Sequence, residues 1–406
     1  MDPAALDAAD PLAAFRDRFA LPEGVIYLDG NSLGALPRAT KAAVAAAIER
    51  DWGRNLIKSW NTAGWIDLTA DIARDLATVT GCDAAEIAVG DSISVNLFKL
   101  LGAAKSVRPD RTTILADDRN FPTDLYIAQG FTDLTGLRLQ LVPTPDDLAA
   151  CVTNDTALVM ASHVDYRSAD ILDLDRLREA AHTKGALCLV DLAHSAGVLP
   201  IELAARGIDM AVGCGYKYLN GGPGAPAFLY LAHRHHAAAR QPITGWFGHA
   251  APFAFTTTYT PAPGIRRFQA GTPPILSLVA LKEGTRIAAE APITAVREKA
   301  KSLTTTFLAL IDERLGDQGF TLLSPRDPDR RGAQIALSHP HAYAITQALI
   351  ARDVIPDYRE PDIVRFGFAP LYLRRTDVAE AVDRLVQVMR RRDYDRPDYR
   401  TRSKVT

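Results

Sequence analysis

Between Ala84 and about Leu231, short apolar runs alternate with helical patterns, and this alternation restricts the fold more than any other feature of the chain. The runs are EIAV (86–89), TTILA (112–116), LRLQLV (137–142), ALVMAS (157–162), ALCLVD (186–191), DMAVGC (209–214) and PAFLYL (226–231). Helical segments such as Val95–Val107 and Leu174–Lys184 fall between several of them. Strands separated by helices imply crossover units and a mostly parallel sheet, buried on both faces. The fold class is therefore α/β, with a mostly parallel, mixed sheet between helices. Beyond about Pro274 the texture changes. Helical stretches at 275–292 and 293–315 lead to QIAL (334–337), a helix near 341–351, VIPDYRE (354–360), DIVRFGF (362–368) and a last helix near 376–392. That texture predicts a smaller α+β domain.

A chain of 406 residues can bury a large core and divide into two lobes. Its formal net charge of −2, with no basic cluster, argues against a nucleic-acid partner. No apolar run is long enough to cross a membrane, and the acidic start MDPAALDAADPLAAF lacks the pattern of a signal peptide. The cytoplasm is the expected compartment. Cys82, Cys151, Cys188 and Cys214 show no metal-ligand spacing, so no metal is expected. Cys188 and Cys214 lie in apolar runs and read as small buried thiols.

The chemistry concentrates in three features in order. VDLAHSAG (190–197) puts Asp191 at the end of an apolar strand, with His194 three residues on. The next strand, DMAVGC, runs into GYKYLNGGPG (215–224), with Lys217 just past its end. Ligands of open α/β sheets bind beyond the carboxyl ends of strands, so Asp191 and Lys217 point to one crevice. A carboxylate and a lysine there suit pyridoxal 5′-phosphate (PLP). The amine forms a Schiff base with the cofactor, and the anion keeps the pyridine nitrogen protonated. His194 would pack beside the ring. A serine-hydrolase reading of Asp191, His194 and Ser195 fails, because no G-x-S-x-G surrounds Ser195.

For the phosphate, GDSISVNLFKLL (90–101) reads as a polar turn opening a helix, so Ile93 and Ser94 offer N–H groups and a hydroxyl. Phe121, in RNFPTDLYIAQG, could stack on a flat ring, the alternative being a core position; Asp124 sits one helical turn beyond. Arg365 lies in an apolar strand opposite Val364 and Phe366, where a charge needs a partner. A substrate carboxylate would supply one; an internal salt bridge with Asp362 or Glu360 is the other reading.

Taken together, YLDGNSLGALP (27–37), SWNTAGW (59–65), DSISVNLFKLL (91–101), NFPTDLY (120–126), HVDYRSADILD (163–173), DLAHSAG (191–197), GYKYLNGGPGAPAFLY (215–230), GWFGH (245–249), FQAGTPPI (268–275) and PDYREPDIVRFGFAPLY (356–372) closely resemble the kynureninase family. The resemblance implies PLP-dependent transferase fold type I and hydrolysis of L-kynurenine to anthranilate and L-alanine. It also implies a place in tryptophan catabolism and NAD biosynthesis, and a homodimer whose active sites are shared between subunits. Carried over by motif, Lys217 holds the cofactor, Asp191 pairs with the pyridine nitrogen and His194 lies beside the ring. Phe121 stacks on it, within a segment that includes Pro122, Thr123 and Asp124. Ile93, Ser94 and Tyr216 contact the phosphate region, and Trp246 and Thr272 complete it from the neighbouring subunit. Arg365, Trp60 and Asn31 fall on the substrate, and Tyr216 is a proton relay. Thr272 and the segment around Trp60 follow the bacterial pattern, which favours kynurenine over its 3-hydroxy derivative. The implied division is an N-terminal segment (1–60) contributing to the small domain and the entrance, a large PLP-binding domain (61–285) and a small domain (286–406). Rival activities within the fold are an aminotransferase and a cysteine desulfurase-like lyase. The latter needs a cysteine well after the lysine, and the chain has none beyond Cys214.

Overall fold

The computed structural model describes residues 2–399 and 401–402; residues 403–406 of the expected C-terminal domain lie outside them. Thirteen strands are described: β1 (Ile26–Tyr27), β2 (Ile87–Val89), β3 (Thr113–Asp117), β4 (Arg138–Val142), β5 (Thr156–Ser162), β6 (Leu187–Asp191), β7 (Met210–Cys214), β8 (Ala227–Leu231), β9 (Thr321–Leu322), β10 (Gln334–Ser338), β11 (Val354–Ile355), β12 (Asp357–Arg359) and β13 (Ile363–Gly367). Seven of them form the large sheet in the order β2-β8-β7-β6-β5-β3-β4. β4, β3, β5, β6 and β7 run parallel, and β8 is antiparallel to both of its neighbours. The architecture is the mixed, mostly parallel α/β sheet that the apolar runs imply.

The runs are continuous because both faces are covered. Along β5, Leu158 and Met160 join one core, against helices Ile93–Val107 and Pro122–Thr135. Val159 and Ala161 join the other, against helices Leu68–Thr80, Leu174–Thr183 and Ile275–Glu290. Cys188 and Cys214 are buried in the sheet.

A second sheet, β12-β13-β10-β9, packs on helices Ile293–Leu315, Ala342–Ile350 and Arg375–Arg391 around a third core. The expected continuous strand VIPDYRE is instead two short ones. Pro356 has no N–H to give a ladder, so Val354–Ile355 pairs with β1 while Asp357–Arg359 pairs with β13. The β1–β11 pairing ties the N-terminal segment to the C-terminal one, and the turn after β1 then reaches the large sheet. Gly34 N–H donates to the Tyr216 carbonyl at 2.7 Å, and a Cβ on Gly34 would collide with the Lys217 carbonyl. Only glycine allows the N-terminal turn to seat against the lysine loop.

Candidate active site

The carboxyl ends of β2, β3, β5, β6 and β7 open onto one cavity of about 330 Å³. Asp191 ends β6, and Lys217 lies three residues past β7, which pairs with β6 in parallel. Both side chains line the cavity, as do His194 and Tyr216. Phe121, Thr123 and Asp124 enter from the start of helix Pro122–Thr135, and Ile93 and Ser94 from the start of helix Ile93–Val107. Pro122 occupies the first turn of its helix, where the missing N–H costs nothing, and does not line the cavity.

Burial sets the charges here. Asp124 is 1% exposed, and neither of its carboxyl oxygens accepts a hydrogen bond from a described donor. Its proton affinity is raised well above the usual carboxylate range, by burial first and by the neighbouring Asp191 second. Asp191 is also pushed up by burial, but the Lys217 charge, the Ala193 N–H at 2.7 Å and a hydrogen bond from Asp124 all favour its anion. Two such carboxyls share one proton. Asp124 is the one that keeps it, having fewer groups to stabilise its charge. Burial, with the Lys217 charge second, holds His194 neutral, and its Nε2 lies 3.0 Å from Lys217 Nζ. The Lys217 ammonium lies 5.9 Å from the Tyr216 ring centroid. Burial raises the Tyr216 hydroxyl, so it stays protonated at neutral pH.

At the end of β2, Ser92 caps the helix by accepting the Val95 N–H through its hydroxyl and the Asn96 N–H through its carbonyl. The N–H groups of Ile93 and Ser94, ahead of these, are the helix's remaining first-turn donors. Buried Lys99 pins the turn from below, donating to Asp91 Oδ2 at 2.5 Å and to the Phe268 carbonyl at 2.6 Å. Phe121 is 41% exposed, which rules out the core alternative, and its ring stands edge-on to Tyr166 at 5.2 Å. Tyr166 also lines the cavity, although nothing but its place inside HVDYRSADILD marks it in the sequence.

Arg365 and Asn31 lie outside the cavity wall, in the small sheet and the turn after β1. Arg365 is 1% exposed and pairs with neither Asp362 nor Glu360. Its two-pronged partner is Asp357, the residue facing it across β12–β13, with Nε to Oδ1 at 2.9 Å and Nη2 to Oδ2 at 2.5 Å. Asp362 instead accepts from Ser338. Arg365 Nη1 also donates to the Tyr166 carbonyl, and the Asn31 amide oxygen accepts from Arg365 in its hydrogen-bonded orientation. Trp60 and Trp246 meet elsewhere, on either side of Phe247 at 6.4 and 5.2 Å. Neither they nor exposed Thr272 lines the Lys217 cavity of a single chain.

The donor set suits PLP: a lysine, an anionic carboxylate supported by a protonated one, and free N–H groups at a helix start. Comparison with known proteins agrees. The family model described as Kynureninase C-terminal domain matches residues 296–385. The kynureninase of Burkholderia pseudomallei (strain 1106a) is 47% identical, across 99% of this chain and 98% of its own length. That of Pseudomonas fluorescens is 45% identical over the same shares. Among solved structures, a C-DES variant with glycine covalently linked to its PLP cofactor is similar with a TM-score of 0.79, at 18% identity, covering 91% of this chain and 98% of its own. The cysteine desulfurase CsdA of Escherichia coli follows with a TM-score of 0.78 at 18% identity, over 93% of this chain and 99% of its own.

Proposed function

The chain belongs to the kynureninase family, PLP-dependent hydrolases that cleave the Cβ–Cγ bond of L-kynurenine, and from that premise we propose which of its residues do the work. When bound at Lys217, the cofactor supplies a conjugated ring that takes up the electron pair left on the substrate α-carbon. Lys217, freed when the substrate amine takes its place on the cofactor, removes the α-proton, beside a neutral His194 that accepts a hydrogen bond rather than competing as a cation. Asp191 holds the ring nitrogen protonated. Asp124 keeps its proton and donates a hydrogen bond to Asp191, which favours the Asp191 anion facing the ring. Phe121 would cover the ring, and Ile93 and Ser94 would hold the phosphate. Arg365, oriented by Asp357, grips the α-carboxylate. Water adds to the γ-carbonyl, the Cβ–Cγ bond breaks to release anthranilate, and Tyr216 passes a proton to the alanine fragment.

The observation that carries this reading is that Asp191 and Lys217, from neighbouring parallel strands, line one cavity with Asp124 beneath them. Trp246, Thr272 and Trp60 reach the site from the second subunit of a homodimer, or on the substrate side, which accounts for their standing apart from the single-chain cavity. Thr272 and Trp60 favour kynurenine over 3-hydroxykynurenine. We read residues 1–60, 61–285 and 286–406 as entrance segment, cofactor domain and small domain, acting in tryptophan catabolism in the cytoplasm. The test is anthranilate fluorescence after addition of L-kynurenine. Wild type should release anthranilate and Lys217→Ala should release none; no release by wild type, or equal release by the variant, would overturn the proposal.

A further inference from the structure

Asp29 lies against Arg365, the group proposed to hold the substrate carboxylate. It follows β1 and bridges to Gly367 at the end of β13. Its Oδ1 is sealed from solvent and has no hydrogen-bond partner. Facing it are Asp357 and Arg359 from β12, Arg365 from β13, Tyr27 from β1, and Tyr218 and Tyr372 from the flanking turns. Ser32 links the group, donating to Asp357 Oδ2 at 2.7 Å while accepting from Arg359 and Arg365. Asp357 is held as an anion by two guanidiniums, from Arg365 at 2.5 Å and Arg359 at 2.8 Å.

Charge counting makes Asp29 decisive. The cluster holds two guanidiniums and the Asp357 carboxylate. Were Asp29 also ionised, the four charges would cancel and a substrate carboxylate would meet a neutral surface. With Asp29 protonated, one guanidinium charge is left over. We propose that Asp29 is a positioning residue that acts as a neutral carboxylic acid, donating to Asp357, so that the Arg359–Arg365 pair keeps one uncompensated positive charge for the substrate's α-carboxylate. The crowding supports this: burial first, and the Asp357 charge second, push the Asp29 carboxyl up to about 7. Tyr27, Tyr218 and Tyr372 are all raised and remain protonated, so they add no charge. The inference rests on Arg365 being the carboxylate-binding residue.

A raised carboxyl is neutral below its pKa and anionic above it. KM for L-kynurenine should therefore rise as pH climbs through neutrality, by about tenfold between one unit below the ionisation and one unit above it, if only the neutral form binds. Asp29→Asn fixes the neutral shape, and its KM should stay flat over that range. Binding of decarboxylated kynurenine to wild type should lack this pH dependence, because it has no carboxylate to read the cluster. Independently of any variant's folding, infrared titration of wild type should show a protonated-carboxyl band that disappears near neutral pH. Asp29→Asn with the wild-type rise in KM, or the absence of such a band, would overturn the inference. Arg365→Lys separates the two layers. If it leaves kcat/KM for kynurenine untouched, the carboxylate reading itself falls and takes this inference with it. If it lowers kcat/KM while Asp29→Asn keeps the wild-type pH dependence, only the role of Asp29 falls.

Discussion

Two carboxyls within hydrogen-bonding reach in a buried cavity cannot both be charged, and that constraint gives Asp191 and Asp124 different roles. Asp191→Asn removes the charge without changing the shape. We expect the variant to keep bound PLP by absorbance yet to lose several powers of ten in kcat, roughly 4 kcal/mol or more of transition-state stabilisation. Activity within threefold of wild type would show that the ring nitrogen does not depend on Asp191. Asp191 and Lys217 are legible in the sequence because one ends an apolar strand and the other stands just past the end of the next. The partner of Arg365 is not. Asp357 lies eight residues earlier in the chain and meets Arg365 only through the β12–β13 register, which no local pattern announces.

At the level of elements, the inner strands of the large sheet are readable from apolar runs, since strands covered on both faces carry a continuous signal, while edge strand β4 is only partly covered. The break at Pro356 is hidden by apolar and polar residues that look like one strand. Also unmarked in the sequence is a staple around Asp209, the residue before β7. Its buried carboxylate accepts from the Cys188 N–H of β6 at 2.8 Å, from Arg234 at 2.7 Å, and meets His182 at 2.8 Å and His235 at 2.7 Å. Burial alone would raise this carboxyl, but the hydrogen bonds from His182, His235 and Cys188 outweigh it and hold it far below the usual range. A depressed carboxylate contributes stability that is present above its unfolded pKa, about 4, and is lost as pH falls from there through the folded value. Asp209→Asn should cost about 2–3 kcal/mol at neutral pH, read from denaturant melts, with a weaker loss of stability on acidification than wild type. Parallel acid-unfolding curves for the two proteins would mean that the staple carries no such linkage.

For the whole molecule, the separation of Trp246 from the Lys217 cavity has a functional consequence if sites are shared between subunits. Lys217→Ala and Trp246→Ala should each be close to inactive. After unfolding and refolding together, half the dimers are hybrids, and one site in each hybrid has an intact Lys217 and an intact Trp246. The mixture should recover about a quarter of wild-type activity. Hybrids verified by differential tags but inactive would place Trp246 in its own chain's site. Strand patterns do not reach this layer, because a surface proposed to meet a second copy leaves no local signal.

The most direct test of the central claim, that the cofactor is held on Lys217 with Asp191 across the ring, is covalent. Borohydride reduction of the purified holoenzyme followed by peptide mapping should place the pyridoxyl label on Lys217, with the visible cofactor absorbance lost in step. A label on Lys99, which is bonded to Asp91, or on Lys184 would contradict the account.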